Sequence, residues 1–183
     1  MIVLPTDTVY GLAATADTSA GRDALYRLKG RQERQPSALV AASLAALFDR
    51  LPELRSAGEV VSALLPGPYT LVVPNPAGRY PWLCGDDPTA IGVRVPELTG
   101  AAAAVVGAVG AVVATSANLP GAPTARVVEE VSAELRAGSA VVLDGGTLPG
   151  VPSTVLDLTG AEPRVLREGA GNPGAALAVL KKS

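Results

Sequence analysis

Residues 111–118, AVVATSAN, lead from four small apolar residues directly into Thr115, Ser116 and Asn118, and Leu119, Pro120 and Gly121 close the segment. An apolar run bounded by a polar cluster and a turn reads as a buried core strand. Hydroxyl and amide groups at the carboxyl end of such a strand lie where α/β sheets bind ligands. The ordinary alternative is that Ser116 and Asn118 only satisfy backbone groups in the turn. Outward from this strand, extended runs alternate with helical spacing, which predicts an α/β (α+β) layered fold. Extended segments are expected at residues 2–4, 8–14, 37–41, 69–73, 90–95, 140–144, 153–158 and 164–168. Helices are expected at 19–28 with Ser19 as cap, at 43–51, 53–65, 97–107 and 124–138, and briefly at the end.

A chain of 183 residues, 48% of them apolar, is long enough for one domain with its own core and too short for two ordinary ones. The expected unit therefore spans residues 1–183. A strand at residue 2 leaves no room for an element before it, so a short amino-terminal lead-in is either naturally minimal or missing. Fifteen basic and seventeen acidic residues give a net charge of −2, so no global field draws the protein to nucleic acid or an anionic membrane. An anion site must be a local cluster. The one cysteine, Cys84, cannot form an intramolecular disulfide, which fits a reducing, cytoplasmic setting. The most apolar run, residues 101–114, is broken by Gly107 and Gly110 and falls short of the roughly 20 residues a membrane span needs.

No histidine is present, which excludes Ser-His-Asp triads, Cys-His pairs, His-ligated zinc and imidazole acid–base chemistry. Any catalysis must use cations, hydroxyls, carboxylates or metal-bound substrate. No carboxylate cluster stands out as a dedicated metal cage. GAGNPG, residues 169–174, matches a dinucleotide fingerprint, but too little chain follows for the helix, strand and acidic residue that it requires, so it reads as a Gly-rich turn.

LKGRQERQP, residues 28–36, places Lys29 and Arg31 at a helix exit with Arg34 close behind. These are either a solvated helix end or a pair of cations converging on a polyanion. PTDTVYG, residues 5–11, is either a turn with Asp7 folded onto the backbone or a row of hydroxyls, Thr6, Thr8 and Tyr10, at the mouth of a sheet. PSTVLDL repeats the device at Ser153 and Thr154, and VLREGA brings Arg167 after another strand. Arg94, within IGVRVP, would be costly in a buried strand unless paired with an anion. Several clusters of one type suggest one cavity.

Four segments in order, PTDTVYGLAA, KGR…QPSALV, LLPGPYTLVV…IGVRVP and VATSANLPG…GVPSTVLDL…VLREGA, resemble the YrdC-like family of threonylcarbamoyl-AMP synthases over nearly the whole chain. The resemblance implies a short, single-domain form with an open, twisted mixed sheet and flanking helices around a positively charged cavity. It implies an enzyme, a nucleotidyltransferase that joins L-threonine, bicarbonate and ATP into threonylcarbamoyl-AMP with release of pyrophosphate. That reaction is the first step toward threonylcarbamoyladenosine at position 37 of tRNA, and a downstream threonylcarbamoyl-transferase complex would accept the product. Mg²⁺ accompanies ATP, and no organic cofactor is expected.

Carried over residue by residue, the resemblance assigns Lys29, Arg31, Ser116, Asn118 and Arg167 to ATP, with Lys29 and Arg31 catalytic. It assigns Thr6, Arg94 and Ser153 to threonine, and Thr8, Tyr10 and Thr154 as secondary contributors. Family members often carry Pro directly after K-x-R, where this chain has Gln32. Two alternatives stay open: an RNA-binding module for tRNA or ribosomal RNA, against which the near-neutral charge and scarce aromatics count, and a paralogue handling a related carbamoyl-adenylate.

Overall fold

The computed structural model describes residues 1–181, so residues 182 and 183 of the expected domain lie outside it. Nine strands form one mixed sheet: β1 Ile2–Pro5, β2 Tyr10–Thr15, β3 Ala38–Ala41, β4 Tyr69–Pro74, β5 Ala90–Arg94, β6 Ala111–Ser116, β7 Val141–Val142, β8 Thr154–Asp157 and β9 Arg164–Arg167. Their spatial order is β7-β1-β2-β6-β3-β5-β4-β8-β9. The pairs β1/β7, β3/β5 and β4/β8 are parallel, and the other five neighbours are antiparallel. The strand read from AVVATSAN lies inside the sheet, between β2 and β3.

Side chains of a strand point alternately to the two faces. Leu12, Leu39, Leu71, Val93 and Val113 enter one face, where the main core collects. That core is closed by residues of α1 Ser19–Lys29, α2 Leu44–Arg50, α3 Gly58–Ser62, α5 Ala133–Ala137 and α6 Pro173–Leu180. Among the described residues only one helix, α4, Gly100–Val109, packs on the opposite face, where Ala102 and Val106 join Leu4, Val40 and Val112 in a smaller cluster. Burying an aliphatic side chain contributes about 1.5–3 kcal/mol, so the filled face supplies most of the fold's stability. The rest of the opposite face stays open.

Several local expectations are corrected. Ser19 is not the cap of α1: Thr18 holds that place, without a side-chain bond, and Ser19 opens the first turn. Residues 53–65 do not form one helix. A 3-10 segment, Pro52–Ala57, precedes the short α3, in which Ser62 Oγ donates back to the Gly58 carbonyl at 2.6 Å. Proline at the start favours the tight turn, and the hydroxyl competes with the helical ladder. Residues 124–138 break in the same manner: a 3-10 turn at Val128–Glu130, then extended Val131, then α5. Ser132 caps α5 by accepting from Leu135 N at 3.3 Å, which starts a new helix where the spacing suggests continuation. The expected strand 140–144 shrinks to Val141–Val142.

Helix α1 follows β2 so closely that Gly21 lies against Thr15, and a Cβ at residue 21 would be driven into the Thr15 carbonyl oxygen. Replacing Gly21 with Ala is therefore expected to destabilise the protein by about 1–3 kcal/mol, as overpacking does, despite the gain in helix propensity. Denaturant titration checks this, read as a fall in midpoint at unchanged slope.

Candidate functional site

The open part of the second sheet face forms a cavity of about 450 Å³. Its floor is built from the alternate residues that the core does not take, among them Val40, Val72, Gly92, Val112 and Ala114. Its lining also carries hydroxyls, three guanidinium groups, those of Arg31, Arg94 and Arg167, and the carboxylate of Asp87. Segments far apart in sequence meet here because the strands that carry them are neighbours in the sheet.

Arg94 is the last residue of β5 and is 8% exposed. Its Nη2 meets Asp7 Oδ1 at 2.5 Å and donates to Thr8 Oγ1 at 2.9 Å. The anion that a buried arginine requires is thus supplied by PTDTVYG, and Asp7 is more than a turn residue. Burial raises the Asp7 carboxyl above the usual carboxylate range, opposed by the Arg94 charge. Burial lowers Arg94, opposed by Asp7 and reinforced by the nearby charge of Arg167. The pair shares a single ion-pair contact and leaves Asp7 Oδ2 and Arg94 Nε buried without hydrogen bonds.

The other cations are held differently. Lys29, the last residue of α1, is 4% exposed and donates to the Ser116 carbonyl, with Thr115 Oγ1 and Ser116 Oγ each at 3.3 Å. It lies behind the end of β6, and the cavity wall at this point is Thr115 and Ser116. Burial, and next the charge of Arg31, lower the Lys29 ammonium to about 8. Arg31 Nη2 donates to the Pro36 carbonyl at 2.7 Å. Arg167 donates twice to the Ser153 carbonyl, at 3.1 and 2.7 Å, and burial lowers its pKa. Among the described residues no carboxylate pairs with Lys29, Arg31 or Arg167. Carbonyl dipoles fix these groups without neutralising them, leaving their charge for an anionic ligand.

The remaining sequence-predicted residues divide. Thr6 lines the cavity and donates to the Val9 carbonyl at 2.7 Å. Ser153 lines it too, sharing a 2.8 Å hydrogen bond with Thr70 Oγ1 and accepting from Arg167 Nη2 at 3.2 Å. Thr8 is fully buried against Arg94. Asn118 does not line this cavity: its Nδ2 donates to the Ala122 carbonyl at 2.6 Å across the turn after β6, and its Oδ1 is buried without a partner. Tyr10 sits in the main core, and its hydroxyl accepts from Gly145 N at 3.0 Å and lies 2.9 Å from the Gly146 carbonyl. Thr154 Oγ1 donates to the Gly171 carbonyl at 2.5 Å and accepts from Gly169 N at 2.9 Å. The GAGNPG turn is explained by close approach: a Cβ at residue 169 would strike the Pro152 carbonyl, and one at 171 the Tyr69 ring. Sequence reasoning gave no site role to Asp7 or Thr70, and it picked out Thr115 only as part of the polar cluster after β6. For Asp7 a signal existed, since an arginine in a buried strand demands a carboxylate somewhere; for Thr70 none did.

The Sua5/YciO/YrdC family, described as telomere recombination, matches residues 1–169. A Mycobacterium tuberculosis protein bearing a threonylcarbamoyl-AMP synthase name is 36% identical over 173 residues, 92% of this chain and 78% of that protein. The threonylcarbamoyl-AMP synthase of Mus musculus is 32% identical over 87% of this chain and 58% of its own length. Among solved structures, P. abyssi Sua5 complexed with L-threonine superposes with a TM-score of 0.83 at 29% identity, covering 98% of this chain and 53% of that one. The chain thus spans somewhat more than half of the mouse and archaeal proteins.

Lys29 gives a pH signature. Its pKa falls from 10.5 in the unfolded chain to about 8 in the folded one, so between these values the unfolded chain binds more protons and stability rises with pH. Denaturation of the wild type and Lys29→Met across that window should show this rise in the difference between the two proteins, and a pH-independent difference would contradict it.

Proposed function

The chain belongs to the Sua5/YciO/YrdC family, and on that premise we propose that it is an L-threonylcarbamoyladenylate synthase. It joins L-threonine, bicarbonate and ATP into threonylcarbamoyl-AMP and pyrophosphate, the first step of tRNA threonylcarbamoyladenosine modification. The comparisons favour this reading over an RNA-binding module. The observation that carries it is a single cavity beside which three cations, Lys29, Arg31 and Arg167, are oriented by backbone carbonyls and left without carboxylate partners among the described residues.

Threonine's amine and bicarbonate condense, with loss of water, to a carbamate. A carbamate oxygen then attacks the α-phosphorus of ATP, the bond to the bridging oxygen breaks, and pyrophosphate leaves. This sequence needs no protein nucleophile and no imidazole, which suits a chain without histidine. The protein's part is positioning and charge stabilisation, the ordinary demands of transfer to phosphorus. In this reading Arg31, Arg167 and Ser116 meet the nucleotide, with Lys29 adding its charge from behind Ser116 and Asn118 shaping the turn. Arg94, held by Asp7 and Thr8, faces the threonine carboxylate beside Thr6 and Ser153. Mg²⁺ arrives as the ATP complex, held by phosphate oxygens and water. A cytoplasmic location and delivery of the adenylate to a threonylcarbamoyl-transferase complex complete the proposal. Among the described residues no helix is long and apolar enough to cross a membrane.

Pyrophosphate release from ATP and Mg²⁺, with adenylate detected by mass, should require both L-threonine and bicarbonate; release independent of threonine would sink the proposal. Lys29→Ala or Arg31→Ala should lower activity at least tenfold, a loss of about 1.4 kcal/mol or more of transition-state stabilisation, while leaving the protein folded. Arg94→Ala should raise the threonine requirement with ATP binding little altered, and equal weakening of both ligands would remove Arg94 from the amino-acid site.

A further inference from the structure

The loop between α1 and β3 carries Arg31, Pro36 and Ser37 into the cavity wall, yet residues 30–37 contain no helix or strand to hold them. Its internal bonds are few: Gln35 N to the Gln32 carbonyl at 3.1 Å and Arg31 Nη2 to the Pro36 carbonyl at 2.7 Å. Gln32, Glu33 and Arg34 are exposed. Ser37 N donates to the Leu83 carbonyl at 2.9 Å at the far end of the loop, and the remaining support of its cavity-facing side lies beneath it, in α1.

Tyr26 is 2% exposed and belongs to the main core. Its carbonyl accepts from Arg31 N at 2.9 Å. Its hydroxyl is 2.5 Å from the Gln35 carbonyl and 2.6 Å from Ser37 Oγ, so its one proton goes to the carbonyl and Ser37 donates the second bond. Its ring lies under the Arg31 guanidinium, 5.5 Å from centroid to Cζ, within the range of a cation–π contact. Arg31 Nε is buried without a hydrogen bond, as a guanidinium laid against an aromatic face would be. Every loop residue in the cavity wall is therefore reached by Tyr26 directly or through one neighbour. A leucine would fill the same core position. The hydroxyl serves the loop alone, whereas the ring is shared between Arg22, with Cζ 5.0 Å from its centroid, and Arg31.

We propose that Tyr26 is a positioning residue for the nucleotide site, presenting Arg31 through its ring and fixing the Arg31–Ser37 wall through its hydroxyl. The inference rests on the reading of Arg31 as an ATP-binding cation. It separates Tyr26 from the other core residues of α1, because its effect passes through Arg31 and not through stability alone.

The test is a double-mutant cycle read in two ways, as ATP·Mg²⁺ affinity by equilibrium binding and as adenylate formation. Tyr26→Leu, Tyr26→Phe, Arg31→Ala and Tyr26→Leu/Arg31→Ala are compared with the wild type, and each variant's fold is checked by circular dichroism. Tyr26→Leu should weaken ATP about tenfold, Tyr26→Phe by less, and threonine affinity should stay within twofold. In the Arg31→Ala background, Tyr26→Leu should add less than a twofold loss. Independent, multiplying losses, or an equal loss of threonine affinity, would overturn the inference. A wild type that binds ATP but makes no adenylate sinks the synthase reading and leaves the cycle readable by binding; no ATP binding at all overturns both.

Discussion

The two-residue alternation along β3, β4, β5 and β6 is the constraint from which the rest of this molecule follows. Leu39, Leu71, Val93 and Val113 face five helices, while Val40, Val72, Arg94 and Ala114 face a side covered only by α4. A slip of one residue in any of these strands would exchange the two sets, placing Arg94 in the main core and its aliphatic neighbours over the cavity. Register is therefore enforced by the filled face, and the cavity inherits its floor from it. Because residues 2–5 and 154–167 lie on opposite sides of the central strands, one face gathers chemistry from both ends of the chain.

Two ways of holding a cation operate around that floor. Arg94 is buried and has a carboxylate, Asp7, which offsets the desolvation that an unpaired guanidinium would suffer. Lys29, Arg31 and Arg167 have carbonyl oxygens instead. A carbonyl orients a donor without cancelling its charge, so these three groups keep their positive charge although the whole chain carries −2. The division matches the chemistry proposed: a zwitterionic amino acid beside the balanced pair, and a polyphosphate beside the unbalanced cations. Aromatic groups are few, and Tyr26 and Tyr10 are each used twice, for core volume and to pin a loop with the hydroxyl.

Much of this was readable in advance, for stated physical reasons. Runs at residues 37–41, 69–73, 90–95 and 111–115 announce strands because β-branched and aliphatic residues between turn signals have few other uses. The breaks that were missed, at Pro52–Ala57 and before α5, arise where a proline or a serine competes locally with a helical spacing that periodicity alone would continue. Of the residues singled out in the sequence, Arg31, Arg94, Arg167, Ser116, Thr6 and Ser153 line the cavity. Tyr10, Asn118 and Thr154 look alike in sequence but turn to partners outside the cavity, backbone groups for all three and also Asp144 for Tyr10, because a side chain one position along a strand points to the other face or into a turn.

The sequence alone determined the layered α/β class, the absence of imidazole chemistry, the local character of the charge and the order of motifs that marks the family. The first three depend on composition and on spacing along the chain, the fourth on the resemblance of the motifs to a known family, and none needs folding to read. Tertiary structure decided which carboxylate balances Arg94, that Lys29 sits behind the wall, and that Tyr26 underlies Arg31. Each is a contact set by strand order and helix packing, and the distance between Asp7 and Arg94 in space has no counterpart in their separation along the chain.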